Sequence, residues 1–253
     1  IFANYYDNFF IDVASYERDL RLASSGSPNL YEAIANGAWG VVENKNPWLY
    51  NFDIKKHLKF DLTFLPSFPV YLTFDFNNDP FACIAFQMSP GKGSRDSFIH
   101  FIKEFSGMMK IEEMCRKIKQ TYPSSIFFVT GDRSGNNQDL GRNQTLYQMI
   151  AAQLGIGMRQ LELNNSNLEH ADSRILCNTM FMHYPNLYID GKNCPNLSTQ
   201  CQRATTDEEN NKASVLLKNR QDHKNDEFDA MRYAFQTYFH DFAKKAYFGV
   251  IKK

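Results

Sequence analysis

From residue 70 onward the sequence switches repeatedly between two hydrophobic periods, and this switching constrains its fold more than any other feature. Apolar runs at 70–76 and 81–87 read as strands joined by the turn Asn77-Asn78-Asp79-Pro80, and 97–105 makes a third strand after a Gly/Ser loop. Residues 110–121 then carry Ile111, Met114, Cys115 and Ile118 at helical spacing. A buried strand at 125–130 opens into Gly131-Asp132-Arg133-Ser134-Gly135. After it the pattern predicts a helix at 145–154, a strand at 158–163, a helix at 169–183, a short strand at 187–189 and a long aromatic-rich helix at 226–247. Strands first, then alternating helices and strands, then a closing helix describe an α/β mixed sheet flanked by helices.

Residues 1–65 differ in character. The stretch 4–22 is expected to be mostly helical, Ser24-Ser25-Gly26-Ser27-Pro28 breaks it, and a short helix is expected at 29–36 with Gly37 as its C-cap. Two domains are therefore expected: a helical linker region over 1–65 and the sheet domain over 66–253. The chain opens on Ile1, not Met, and is expected to be a piece of a longer protein.

Twenty-eight basic residues balance twenty-eight acidic ones, so the chain is not a nucleic-acid wrapper that works by charge alone. DNA contact then has to come from clustered basic side chains. Cys83, Cys115, Cys177, Cys194 and Cys201 are scattered without zinc-ribbon spacing and read as reduced thiols. No apolar run reaches transmembrane length, and no membrane partner is expected.

The chemistry points to aspartates. Asp75 stands inside Thr73-Phe74-Asp75-Phe76, where burying a carboxylate is costly without a cation or hydrogen bonds. Asp132 follows the buried strand directly, at the kind of edge where open sheets place ligands; alone it also reads as a turn residue. Asp226 and Asp229 share one face of the last helix's first turn, where acids also suit the helix dipole. Phosphodiester hydrolysis needs an activated water and a neutralised leaving oxygen, and two hard cations roughly 3.5–4 Å apart supply both. Mg²⁺ and Mn²⁺ prefer carboxylate oxygens, and the sequence offers no rival Cys or His cluster.

Three segments carry a resemblance. Phe74-Asp75-Phe76-Asn77-Asn78-Asp79-Pro80, Phe127-Phe128-Val129-Thr130-Gly131-Asp132 and Asp226-Glu227-Phe228-Asp229-Ala230-Met231-Arg232-Tyr233 resemble, in order, the motifs of the nuclease domain of phage terminase large subunits. These are the packaging motors of tailed double-stranded DNA viruses. The stretch Leu30-Tyr31-Glu32-Ala33-Ile34-Ala35-Asn36-Gly37-Ala38-Trp39-Gly40 looks like the linker after that family's ATPase domain. The resemblance spans roughly 30–245.

It implies an RNase H-like fold and a two-metal endonuclease, using Mg²⁺ or Mn²⁺, that cuts viral DNA concatemers during packaging; little sequence preference is expected because nothing in the sequence reads as a base-specific major-groove helix. Asp75, Asp132 and Asp229 would be the catalytic metal ligands. Asp79 and Asp226 would adjust metal occupancy or position a water; relatives often carry His at the position of Asp226. The implied partners are double-stranded DNA, an ATPase domain on the same polypeptide, the portal protein and the small terminase subunit. The implied place of work is the procapsid portal in the host cytoplasm. No Walker A pattern is present, so the ATPase would lie outside these residues.

Candidate DNA contacts are Lys92 and Arg95 after the second strand and Arg133 beside Asp132, expected to flank the scissile phosphate. Lys218, Arg220 and Lys224 before the last helix are expected to form a ridge. Arg232 is also placed to pair with a local carboxylate. Two alternatives stay open: another RNase H-like nuclease of resolvase or transposase type, and a non-catalytic docking module with structural acids.

Overall fold

The computed structural model describes residues 10, 12–23, 46–76, 81–91, 94–139, 143–207, 212–216 and 225–249. The chain divides into two compact units, Ile1–Lys45 and Asn46–Lys253. The described part of the first is chiefly a helix, α1 (Val13–Ala23). The helix expected at 29–36 and the linker motif at 30–40 lie outside the described residues.

The second unit begins with a short helical turn, α2 (Ile54–His57), and the two-residue strand β1 (Leu58–Lys59). Three strands follow: β2 (Val70–Asp75), β3 (Phe81–Met88) and β4 (Phe98–Gly107). Next come helix α3 (Ile111–Thr121) and strand β5 (Phe127–Gly131). A small ribbon, β6 (Gln138–Asp139) with β7 (Gln144–Thr145), leads into α4 (Leu146–Leu154). Then come α5 (His170–His183), β8 (Asn186–Asp190), α6 (Pro195–Arg203) and the ribbon β9 (Thr206–Asp207) with β10 (Lys212–Leu216). The last helix is α7 (Asp226–Tyr247).

Six strands form one mixed sheet in the order β1-β8-β4-β3-β2-β5. The hairpin-linked β2, β3 and β4 are antiparallel, whereas β5 joins β2, and β8 joins β4, in parallel after helical crossovers. Side-chain alternation sorts the strands' two faces into two cores. Val70, Leu72 and Phe74 of β2 pack with Ile111, Met114, Cys115 and Ile118 of α3 and with Tyr147 and Ile150 of α4. Ile84, Phe86, Ile99 and Phe101 face the other way, into a core with α5, α6 and α7. The helices begin where local chemistry allows. At α4, Thr145 Oγ1 accepts the Gln148 amide at 3.2 Å and Gln148 Oε1 accepts the Thr145 amide at 2.9 Å, a reciprocal cap.

Three expectations change. The compact unit begins at Asn46, not at 66. Trp48 is fully buried, its ring centre 5.3 Å from that of Phe228 in an edge-on contact, and Asn178 of α5 clamps the segment, accepting the Asn51 amide at 2.9 Å and donating to the Trp48 carbonyl at 3.0 Å. β1 extends the sheet beside β8. This segment is rich in apolar residues, and Trp48, Leu49, Phe52 and Leu58 pack into the core shared with α5, α6 and α7. Second, 158–163 is not a strand. It forms a 3-10 turn at Met158–Gln160 and a single parallel bridge from Leu161 to Val129. Third, α6 and the β9–β10 ribbon occupy a stretch that the hydrophobic pattern leaves unassigned, since α6 buries mainly small and polar side chains such as Ser198 and Gln200.

Candidate active site

The sheet brings two of the aspartates to neighbouring strand ends. Phe74 of β2 pairs with Gly131 of β5, and the Asp132 amide donates to the Phe74 carbonyl at 2.9 Å. Asp75 and Asp132 thus begin from backbones on the order of 5 Å apart. Gly131 is required here. Its φ is +150°, and a Cβ would lie 2.2 Å from the Phe74 carbonyl oxygen. Gly135 serves the next turn similarly, because a Cβ there would stand 2.2 Å from the Phe76 ring and 2.6 Å from the Tyr147 ring.

Helix α7 delivers the third carboxylate. Tyr71, Thr73 and Asp75 alternate onto the face opposite Val70, Leu72 and Phe74. Tyr71 meets Tyr238 of α7 edge-on at 5.1 Å, and Thr73 Oγ1 donates to the Ala230 carbonyl at 2.6 Å. Moving along β2 therefore runs backward along α7, toward its first turn. Asp75 is the next residue on that face, and it is 2% exposed. Asp229 is 1% exposed, and Asp226 is buried in the same turn.

One phenol feels all three acids. Burial, followed by the negative charges of Asp229, Asp75 and Asp132, pushes Tyr233 of α7 well above the usual tyrosine range. Tyr147 is raised likewise by burial, then by Asp132 and Asp75, and its hydroxyl donates to the Asp132 carbonyl at 2.8 Å. Three segments distant in sequence thus aim their charge into one region.

Each acid also has protein partners. Asp132 Oδ1 accepts the Ser134 amide at 3.2 Å and the Asn167 side-chain amide at 2.6 Å, while Oδ2 accepts the Ser134 hydroxyl at 2.5 Å. Asp229 forms a buried ion pair with Arg232, whose Nε donates to Ser173 Oγ at 2.9 Å and whose guanidinium lies 5.1 Å from the centre of the Trp48 ring. Among the described residues, no three His, Cys, Asp or Glu side chains stand close enough to share one ion as they are turned here. The donor chemistry nevertheless fits a hard divalent cation: Asp75, Asp132 and Asp229 are carboxylates whose fields converge on Tyr233.

Several residues that sequence reasoning passed over belong to this site. Asn167, Ser134, Tyr147 and Tyr233 surround the acids. Buried Glu227, adjacent to Asp226, accepts from Asn196 at 3.2 Å and from Gln200, and Gln200 Oε1 accepts the Phe228 amide at 2.8 Å. The available signal was weak, because Asn, Gln and Ser in loops usually mean turns.

The candidate DNA-contact residues fare differently. Arg133 is exposed beside Asp132, and its amide donates to Asn167 Oδ1 at 3.1 Å. Arg95 does not flank the site. It is exposed in the β3–β4 turn, and β3 runs from Ala82, the partner of Asp75, away to Met88, which puts Arg95 roughly 20 Å off at the opposite end of the sheet. The antiparallel turn, invisible in charge pattern alone, decides this. Asp79, Lys92, Lys218, Arg220 and Lys224 lie outside the described residues.

The mixed sheet with three antiparallel strands, a parallel return beside the first and a long helix across its face is RNase H-like, with Asp75 and Asp132 at the carboxyl ends of the parallel pair β2 and β5 at one side of the sheet. Solved structures of this architecture include the large terminase of a thermophilic bacteriophage (TM-score 0.55, 16% identity, 93% of this chain and 54% of that one). The nuclease domain of the P22 large terminase is similar as well (TM-score 0.52, 11% identity, 76% of this chain and 92% of that one). This chain spans about half the length of the thermophilic phage's large terminase that it matches. No family model matches the sequence. No curated protein matches it either.

Proposed function

We propose that this chain is a divalent-metal-dependent endonuclease that cuts double-stranded viral DNA concatemers during genome packaging. The observation that carries the reading is that the pairing of β2 with β5 and the Thr73–Ala230 hydrogen bond bring the segments bearing Asp75, Asp132 and Asp229 to one end of the sheet, within a fold shared with large terminases. In this reading the three aspartates hold Mg²⁺ or Mn²⁺, two ions in all, with Asp226 and Asp79 adjusting occupancy. The bound cations supply a hydroxide-like water and a neutralised leaving oxygen.

The residues around them do the rest. Ser134 and Asn167 fix the Asp132 carboxylate, Arg232 pairs with the Asp229 carboxylate, and burial beside the acids keeps the Tyr233 phenol protonated. In this reading Arg133, exposed beside Asp132, meets a phosphate. None of the described elements reads as a base-specific major-groove helix, and in this reading cutting has little sequence preference. The zero formal charge suits a module whose grip on DNA comes from a larger assembly. The partners are an ATPase domain on the same polypeptide, the portal protein and the small terminase subunit, and the place of work is the procapsid portal in the host cytoplasm. The assignment of 1–45 as a linker after that ATPase domain belongs to the same reading.

The test is degradation of supercoiled plasmid with Mg²⁺ or Mn²⁺ by wild type and by Asp75→Ala. Cleavage falling to background with an unchanged circular dichroism spectrum is the expected result. A D75A protein that cuts at the wild-type rate would remove Asp75 from the mechanism.

A further inference from the structure

We infer that Asn167 is a positioning residue that presents a single oxygen of Asp132 to the catalytic metal, an inference that rests on the nuclease reading above. A carboxylate has about four lone-pair positions. At Asp132 the Ser134 amide and the Asn167 side chain take both positions on Oδ1, and the Ser134 hydroxyl takes one on Oδ2. What remains for a cation is the second lone pair of Oδ2, so Asp132 binds through that one atom.

Asn167 is itself held in register. The Arg133 amide donates to its Oδ1 at 3.1 Å, which turns the NH₂ end toward Asp132. The loop around it is tied to α7. Asn164 Nδ2 donates to Thr237 Oγ1 at 2.6 Å, Gln236 Nε2 donates to the Ser166 carbonyl at 2.6 Å, and the Leu168 amide donates to Gln236 Oε1 at 3.1 Å. Thr237 also bonds Thr130 of β5 at 2.7 Å. The loop at 164–168 is thus fastened to the two elements that carry Asp132 and Asp229. Through Asn167, the orientation of one carboxylate is set relative to the helix bearing the other. Groups that orient a metal ligand in this way commonly change metal affinity by about 10–100-fold when removed.

Asn167 is exposed, so its loss leaves no hole in either core. The experiment compares wild type, Asn167→Ala, Asn167→Leu (similar in shape, without the amide) and Asn165→Ala (an exposed neighbour, as control). Mn²⁺ binding is measured by calorimetry, and plasmid cleavage is measured across a Mn²⁺ titration. The expected result is that both Asn167 variants need about tenfold more Mn²⁺ for half-saturation in both assays. Their melting temperatures stay near wild type, and N165A is unchanged throughout. Wild-type Mn²⁺ affinity in N167A and N167L would overturn the inference and leave the nuclease reading standing, as would a loss of kcat with an unaltered Mn²⁺ dependence. A wild-type protein that neither binds Mn²⁺ nor cuts DNA would overturn both.

Discussion

Asp229 and Arg232 lie three apart on α7, the spacing at which helical side chains meet, and here both are almost wholly excluded from water. The pair has an asymmetric energetic consequence. Arg232→Met would leave an uncompensated carboxylate in the α5–α7 core and cost about 3–5 kcal/mol, whereas replacing both partners with apolar residues would recover much of that loss. Urea unfolding of R232M and of the double variant with Asp229→Leu measures the difference, and equal losses in the two would contradict the pairing. The sequence placed Arg232 to pair with a local carboxylate, and the folded helix shows that the partner is Asp229. Asn167 was not legible, because its role depends on a loop 35 residues from Asp132 being folded against the end of β5.

At the scale of elements, α7 has no side-chain cap of its own at Asn225, yet its first turn carries Asp226 and Asp229. Gln200 of α6 supplies the missing partner, accepting the Phe228 amide at 2.8 Å while donating to Glu227. Gln200→Leu would strand a buried amide and a buried carboxylate and is expected to cost about 1–3 kcal/mol. Hydrogen exchange at the start of α7 should rise in Q200L while exchange at 238–246 stays protected; uniform loosening of the helix would argue against a local cap. The strands β2, β3 and β4 and the helices α3, α4, α5 and α7 were legible because each keeps one period over enough residues. The 158–163 segment was not. Its apolar residues satisfy both a strand and a turn, and its contact with the sheet is a single bridge from Leu161 to Val129, with the Glu162 amide donating to the Val129 carbonyl at 2.8 Å.

At the scale of the molecule, the boundary between compact units separates two readings of 46–65. A chain starting at Asn46 keeps Trp48 over Phe228 and Arg232, and keeps β1 beside β8. A chain starting at residue 66 loses both, and loss of the Trp48 ring alone is worth about 3–5 kcal/mol. The fragment 46–253 is therefore expected to melt cooperatively and the fragment 66–253 to be unfolded or severely destabilised, as followed by near-ultraviolet circular dichroism. Equal melting of the two would restore the later boundary.

Period and composition determined the α/β class, most strand and helix positions, and the three aspartates worth pursuing, because local side-chain alternation records which face of each element is buried. Register, crossover and loop placement are long-range properties that no local window records. The tertiary structure alone decided that Asp75 and Asp132 end on adjacent parallel strands, that α7 packs on them with its first turn toward those ends, that Asn167 and Gln200 hold the ends of β5 and α7 in place, and that Arg95 lies at the opposite end of the sheet.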